Sequence, residues 1–118
     1  MSNAACPFCT VRSLTLIAEN NLAFAIRDKF PVCSLHTLII PKRHVPDIFS
    51  TSPKEREALH QLALECRAAI SRDDPAVQGF NFGSNVGAAA GQKIFHAHLH
   101  LIPRRLRDTP PPPAQPDN

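Results

Sequence analysis

The run His96-Ala97-His98-Leu99-His100-Leu101-Ile102 sets a polar ring at every second position and an apolar side chain between. Successive side chains point to opposite faces of an extended strand, so this spacing predicts three imidazoles on one face while Ala97, Leu99 and Leu101 enter a core. Same-face neighbours stand roughly 6.5–7 Å apart, which lets the middle ring meet both others. Imidazole changes charge near neutral pH, so such a face suits a nucleophile, a proton carrier or a metal ligand. A strand with one polar and one apolar face also needs a covering layer on the apolar side.

The length bounds that layer: 118 residues, 43% hydrophobic, suffice for one core. The expected organisation is a single domain over 1–109 and a proline-rich tail over 110–118, where Pro110–Pro113 and Pro116 oppose regular pairing. No apolar run approaches the roughly 20 residues of a membrane span, and Met1–Ala5 lacks the form of a signal peptide. The chain therefore reads as cytoplasmic, without a membrane partner. A formal charge of +3 is too small to predict a nucleic-acid surface, but it accommodates small anions. Of the four cysteines, Cys6 and Cys9 are spaced for a metal or for reduced thiols in a reducing compartment, while Cys33 and Cys66 read as buried.

Leu14–Ile17 and Leu22–Arg27 read as strands joined through Glu19-Asn20-Asn21, and Thr37–Ile40 as a short buried strand ending at Pro41. Ser52-Pro53-Lys54-Glu55 has the form of a capping box with proline in the first helical position. Leu59, Leu62, Cys66 and Ile70 then recur at helical spacing, with Lys54, Glu57, Gln61 and Arg67 opposite them, until Asp73-Asp74-Pro75 ends the helix. Gly79–Gly83 reads as a strand, 87–91 as a loop of small residues, and Ile94–Ile102 as the histidine strand. His60 falls on the solvent side of the helix. Three strands, a helix and two strands predict an α+β fold: a five-stranded antiparallel sheet with one long helix on one face.

The triple-histidine strand, Asn81-Phe82-Gly83, Ala90-Gly91-Gln92, His36-Thr37-Leu38-Ile39-Ile40-Pro41-Lys42-Arg43-His44 and Cys6-Pro7-Phe8-Cys9 together resemble the histidine-triad (HIT) family, in its order and over about residues 6–105. The resemblance implies a HIT-like fold that dimerises, and nucleotide hydrolysis or nucleotidyl transfer at an α-phosphate without a catalytic metal. It assigns His98 as nucleophile, His100 to the phosphoryl oxygens and proton transfer, and His36 as an orienting partner. A neutral imidazole is a good nucleophile at pH 7, and a covalent phosphohistidine divides one hard step into two. Gln92 is expected to offer its amide to an oxygen that gains charge in the transition state. Phe8, Val11 and Ile26 would line a base pocket and Asp28 would accept ribose hydroxyls, with Asn81, Gln92 and His100 completing the nucleotide site. Core packing is the competing reading for the three apolar residues, and a turn before Pro31 for Asp28.

By the same resemblance, Cys6, Cys9, His44 and His96 would hold a structural zinc that ties the N-terminal segment to two strands. Free thiols are the alternative. Rival readings of the triad are a catalytic three-histidine metal site, which the lack of any carboxylate between Asp74 and His100 disfavours, and a non-catalytic nucleotide-binding module. Lys93 stands where family members commonly carry a hydroxyl residue. The pattern Asn85–Gln92 with Pro103-Arg104 resembles bacterial dinucleoside polyphosphate hydrolases, so the expected substrate is a purine dinucleotide such as diadenosine tetraphosphate. Phosphoramidate cleavage or nucleotidyl transfer is the alternative, and a homodimer is the expected assembly.

Overall fold

The computed structural model describes residues 6–10 and 15–106. Val11, Leu14 and the proline-rich tail, all part of the sequence reading, lie outside the described residues. The chain runs β1 (Ala18–Glu19), β2 (Ala23–Arg27), β3 (Thr37–Pro41), α1 (Pro53–Asp73), β4 (Gly79–Gly83) and β5 (Leu99–Arg104). The five strands form one sheet in the order β1-β2-β3-β5-β4, with every neighbouring pair antiparallel. The expected α+β architecture is therefore the observed one. Among the described residues, no helix is long and apolar enough to cross a membrane.

The helix begins where the sequence places it. Ser52 caps it, its hydroxyl accepting from the Glu55 amide at 3.1 Å, while the Glu55 carboxylate accepts from the Ser52 amide at 2.8 Å. Leu59, Leu62, Ala63, Cys66 and Ile70 pack on Ala23, Ala25, Ile39 and Leu101. Fully burying a large aliphatic side chain stabilises by about 1.5–3 kcal/mol, so this stripe supplies most of the helix's docking energy. The intervening residues Phe24, Ile26, Leu38 and Ile40 face the other way, where Cys6, Phe8, Cys9, Leu16 and Ile94 cover them. Coverage of both faces explains why β2 and β3 read as nearly unbroken apolar runs.

The first strand and the start of the histidine strand differ most from the sequence expectation, the other strand ends by two residues at most. The first strand is Ala18–Glu19, and the turn follows it, because Asn20 Oδ1 accepts from the amides of Leu22 at 3.1 Å and Ala23 at 2.9 Å. The histidine segment joins the ladder at Leu99, not Ile94. Pro41 has no N–H to offer, its carbonyl oxygen lies 2.7 Å from His96 Nε2, and the Ala97 amide donates instead to the Val45 carbonyl at 2.7 Å. Residues 94–98 thus satisfy their polar groups outside the sheet, and only His100 of the three histidines lies on a paired strand.

Candidate active site and cysteine–histidine cluster

Register puts His100 opposite Leu38 on β3 and Gly83 on β4, with His36 just before β3. Four of the five imidazoles that the sequence reading assigned a role have a tautomer fixed by hydrogen bonds that trace back to the backbone. A carbonyl can only accept, and an amide N–H can only donate. His98 Nδ1 lies 2.8 Å from the His96 carbonyl oxygen, so Nδ1 carries the proton and Nε2 keeps its lone pair. The Val32 amide donates to His36 Nδ1 at 3.0 Å, which places the His36 proton on Nε2. That proton is donated across 2.9 Å to His100 Nδ1, leaving His100 with its N–H at Nε2.

Burial pushes the His36 imidazole below its ordinary value, against the pull of nearby Asp28. Burial likewise lowers His100, helped by the neighbouring His98 and His36. The His98 and His100 rings meet edge to face at 5.1 Å, and Phe8 packs against His98 at 5.2 Å. Asp28 Oδ2 stands 3.4 Å from His36 Nε2, while its other oxygen accepts from the Phe30 amide at 3.0 Å.

A groove of about 420 Å³ opens beside His36 and His100, bordered by Val32, Asn81, Asn85 and Ile102. Asn81 does reach it, with its Oδ1 accepting from Arg104 Nε at 2.7 Å. Ser84 and Asn85, to which no sequence motif assigns a role, also line the groove, and the Ser84 hydroxyl donates to the His98 carbonyl at 2.7 Å. The available signal was their position directly after β4, which antiparallel pairing carries back to His100.

Three other expected site residues are engaged within the protein. Gln92 has no free amide: its NH₂ donates to the carbonyls of Pro46 at 2.6 Å and Ile94 at 3.0 Å, and its oxygen accepts from Gly87 N at 2.8 Å. It is a buried brace for the loop, because both amide protons are taken. Phe8 and Ile26 are packed within the cluster under the sheet and do not border the open groove, as their apolar character and burial favour. His60 is exposed and Cys66 buried, as expected, whereas Cys33 is only half-buried.

His96 turns away from the other two triad rings. Its Nε2–H donates to the Pro41 carbonyl, so Nδ1 presents a lone pair 3.4 Å from Cys6 Sγ, 3.6 Å from Cys9 Sγ and 3.2 Å from His44 Nδ1. Cys9 Sγ is 3.0 Å from His44 Nδ1, and all four donor atoms lie within 4.8 Å of one another. Zinc bonds of about 2.3 Å to sulfur and about 2.0 Å to nitrogen separate tetrahedral ligands by roughly 3.3–3.8 Å, so this donor set fits. Burial pushes the Cys6 thiol up, and binding a cation would reverse that cost by taking the thiolate.

An antiparallel sheet backed by one helix, with imidazoles held at set tautomers and two of them, His36 and His100, beside an open groove, defines a small α+β histidine-site protein. The HIT domain model matches residues 11–107. A HIT-like protein of Mycoplasma genitalium is 40% identical over 111 residues, covering 87% of this chain and 75% of its own. The crystal structure of a HIT family protein from Bacillus anthracis superposes with a TM-score of 0.82 at 34% identity, over 91% of this chain and 78% of the other. A zinc-bound histidine-triad family protein from Mycobacterium smegmatis gives 0.75 at 34%, over 86% and 76%. The chain belongs to the HIT family, whose members are nucleotide-binding hydrolases and transferases.

Proposed function

We propose that this protein hydrolyses dinucleoside polyphosphates, such as diadenosine tetraphosphate, at an α-phosphate through a nucleotidyl-His98 intermediate. The observation that carries the proposal is the His98 Nδ1–H bond to the His96 carbonyl, which leaves Nε2 as a lone pair beside His100. In the first step, that pair attacks phosphorus, an N–P bond forms, and the P–O bond to the polyphosphate breaks with its electrons on the departing oxygen. The positive charge left on the ring is met by the His96 carbonyl, which still holds Nδ1–H. His100 donates its Nε2–H to a non-bridging oxygen, and His36 holds it in that tautomer. Water then attacks phosphorus, the N–P electrons return to His98, and the water proton passes to solvent.

In this reading Asp28 accepts sugar hydroxyls with the oxygen not used by Phe30, and Asn81, on the groove wall, contacts the nucleotide. Lys93, exposed on the loop before the cluster, adds the positive charge that a polyphosphate favours over a phosphoramidate. Zinc on Cys6, Cys9, His44 and His96 would supply cross-linking strength, not reaction chemistry. Residues 1–109 form the working domain in this reading, with 110–118 an appended tail. We read the protein as a cytoplasmic homodimer without nucleic-acid or membrane partners. The edge position of β4 supports dimerisation, and light scattering would report a monomer if this is wrong.

The deciding assay offers diadenosine tetraphosphate and an adenosine phosphoramidate to wild type and His98→Ala, with and without chelator, while circular dichroism follows the fold. The expected result is polyphosphate turnover that survives chelation as long as the fold does, lost in His98→Ala. An active His98→Ala enzyme that chelation silences without unfolding points to metal hydrolysis. Binding without turnover points to a binding module.

A further inference from the structure

The connection from β2 to β3 is an exposed loop built unusually firmly for one. Phe30 and Val32 are open to solvent, yet Cys33 Sγ donates to the Pro103 carbonyl at 2.8 Å and the Cys33 carbonyl accepts from the His36 amide at 3.2 Å. Leu35 takes φ of +70°, a left-handed conformation that costs a branched L-residue roughly 1 kcal/mol or more and persists only where its surroundings impose it. Its carbonyl accepts from Thr37 Oγ1 at 2.9 Å. Arg105, just past β5, donates to the Ser34 carbonyl at 3.2 Å, and its guanidinium is paired with Asp74, the C-cap of α1, at 2.7 and 2.9 Å.

The product of this bracing is one amide, the Val32 N–H aimed at His36 Nδ1. Without it, only the Asp28 carboxylate, 3.4 Å from His36 Nε2, would favour the proton at that nitrogen, and nothing would exclude a proton from Nδ1 of the ring. Its flipped tautomer would face His100 Nδ1 lone pair to lone pair, or force the His100 proton onto Nδ1 and strip the donor from the groove side. We infer that Arg105 is a positioning residue: anchored by Asp74, it holds the loop so that Val32 selects the His36 tautomer and, through it, that of His100. Arg105 is not among the residues that line the groove. The inference rests on the proposed reaction for its kinetic consequence, but not for its structural one.

The test uses full-length protein, labelled with ¹⁵N in its histidines, as wild type, Arg105→Ala, Arg105→Lys and Val32→Pro. Long-range proton–nitrogen correlation spectra read each ring's tautomer, and steady-state kinetics with diadenosine tetraphosphate read kcat and KM. The wild type should show His36 protonated at Nε2 alone. Arg105→Ala should show mixed tautomers at His36 and His100, with kcat down about 10- to 100-fold, the size expected for losing a partner that orients a functional histidine, and KM little changed. Arg105→Lys, able to donate to Ser34 and pair with Asp74, should recover part of both. Val32→Pro, which removes the N–H itself, should reproduce the tautomer change. An unaltered His36 pattern in folded Arg105→Ala overturns the inference, as does an altered pattern with unchanged kcat. Absence of turnover in every protein, with the tautomer shift present, counts against the proposed reaction and not against the clamp.

Discussion

Replacing Glu55 by glutamine tests whether one carboxylate joins the start of the helix to the loop that carries His44. Glu55 is buried and receives a forked pair of hydrogen bonds from Arg43, 3.0 Å from Nε and 2.7 Å from Nη2, besides closing the capping box with Ser52. The Arg43 hydrogen bonds, ahead of the opposing effect of burial, hold its carboxyl at about 2 instead of 4.5. A depression of that size corresponds to roughly 3 kcal/mol of folding stability. Because the Arg43 side chain is 55% exposed, solvent screening reduces this to about 1–2 kcal/mol. The folded-state value is the lower one, so the contribution is complete above pH 4.5 and drains away as pH falls toward 2.

Glu55→Gln keeps an acceptor for the Ser52 amide and removes only the charge. At pH 7, its urea midpoint should fall by about 0.5–1 M with the slope unchanged. Near pH 2, the two proteins should converge. Arg43→Gln on top of Glu55→Gln should cost little more, because the pair acts as one unit. Equal midpoints at pH 7, or a gap that persists unchanged at pH 2, would refute the reasoning.

Three further outcomes follow from the sites. Since burial lowers His36 and His100, both rings should stay neutral somewhat below pH 6.5; kcat should hold to that point, then fall with acid, and stability should fall in the same direction because the unfolded chain binds those protons first. A pH–rate profile rising toward acid would contradict this. Gln92→Ala should cost about 2–4 kcal/mol by leaving the Pro46 and Ile94 carbonyls and the Gly87 amide unpaired, read by urea unfolding. A stable variant with collapsed kcat would restore Gln92 to the chemistry. Cys9→Ser should reduce bound zinc from one per chain, measured by mass spectrometry of the purified protein, and lower Tm; metal-free wild type with unchanged Tm would remove the zinc reading.

The fold was legible where one local rule sufficed. Ser52-Pro53-Lys54-Glu55 fixed the helix start because its reciprocal bonds are made within four residues, and the 59-62-66-70 stripe fixed its buried face. The histidine strand was misjudged at its start because alternation describes side chains, while the ladder depends on partners distant in sequence. Pro41, without an N–H, and Val45, with a free carbonyl, draw residues 94–98 out of the sheet. The hydrogen bonds of Gln92 are hidden in the sequence for a similar reason. Its type suits an oxygen in the transition state, but its three partners, Pro46, Ile94 and Gly87, become visible only when the loops meet.

Equal spacing gave His96 and His98 the same apparent standing, and the backbone makes them chemically opposite. The Pro41 carbonyl takes the Nε2 proton of His96 and frees Nδ1 toward two cysteines, whereas the His96 carbonyl takes the Nδ1 proton of His98 and frees Nε2. The two assignments are coupled, since the peptide of the cluster ligand is the acceptor that orients the next ring. Displacing His96 from the cysteine cluster should therefore move the His98 carbonyl partner as well, which links the geometry of the cysteine–histidine cluster to the proposed nucleophile through that one hydrogen bond. Within a motif of identical residues, role is set by which backbone atom each side chain meets, and that depends on the turns of the chain around it.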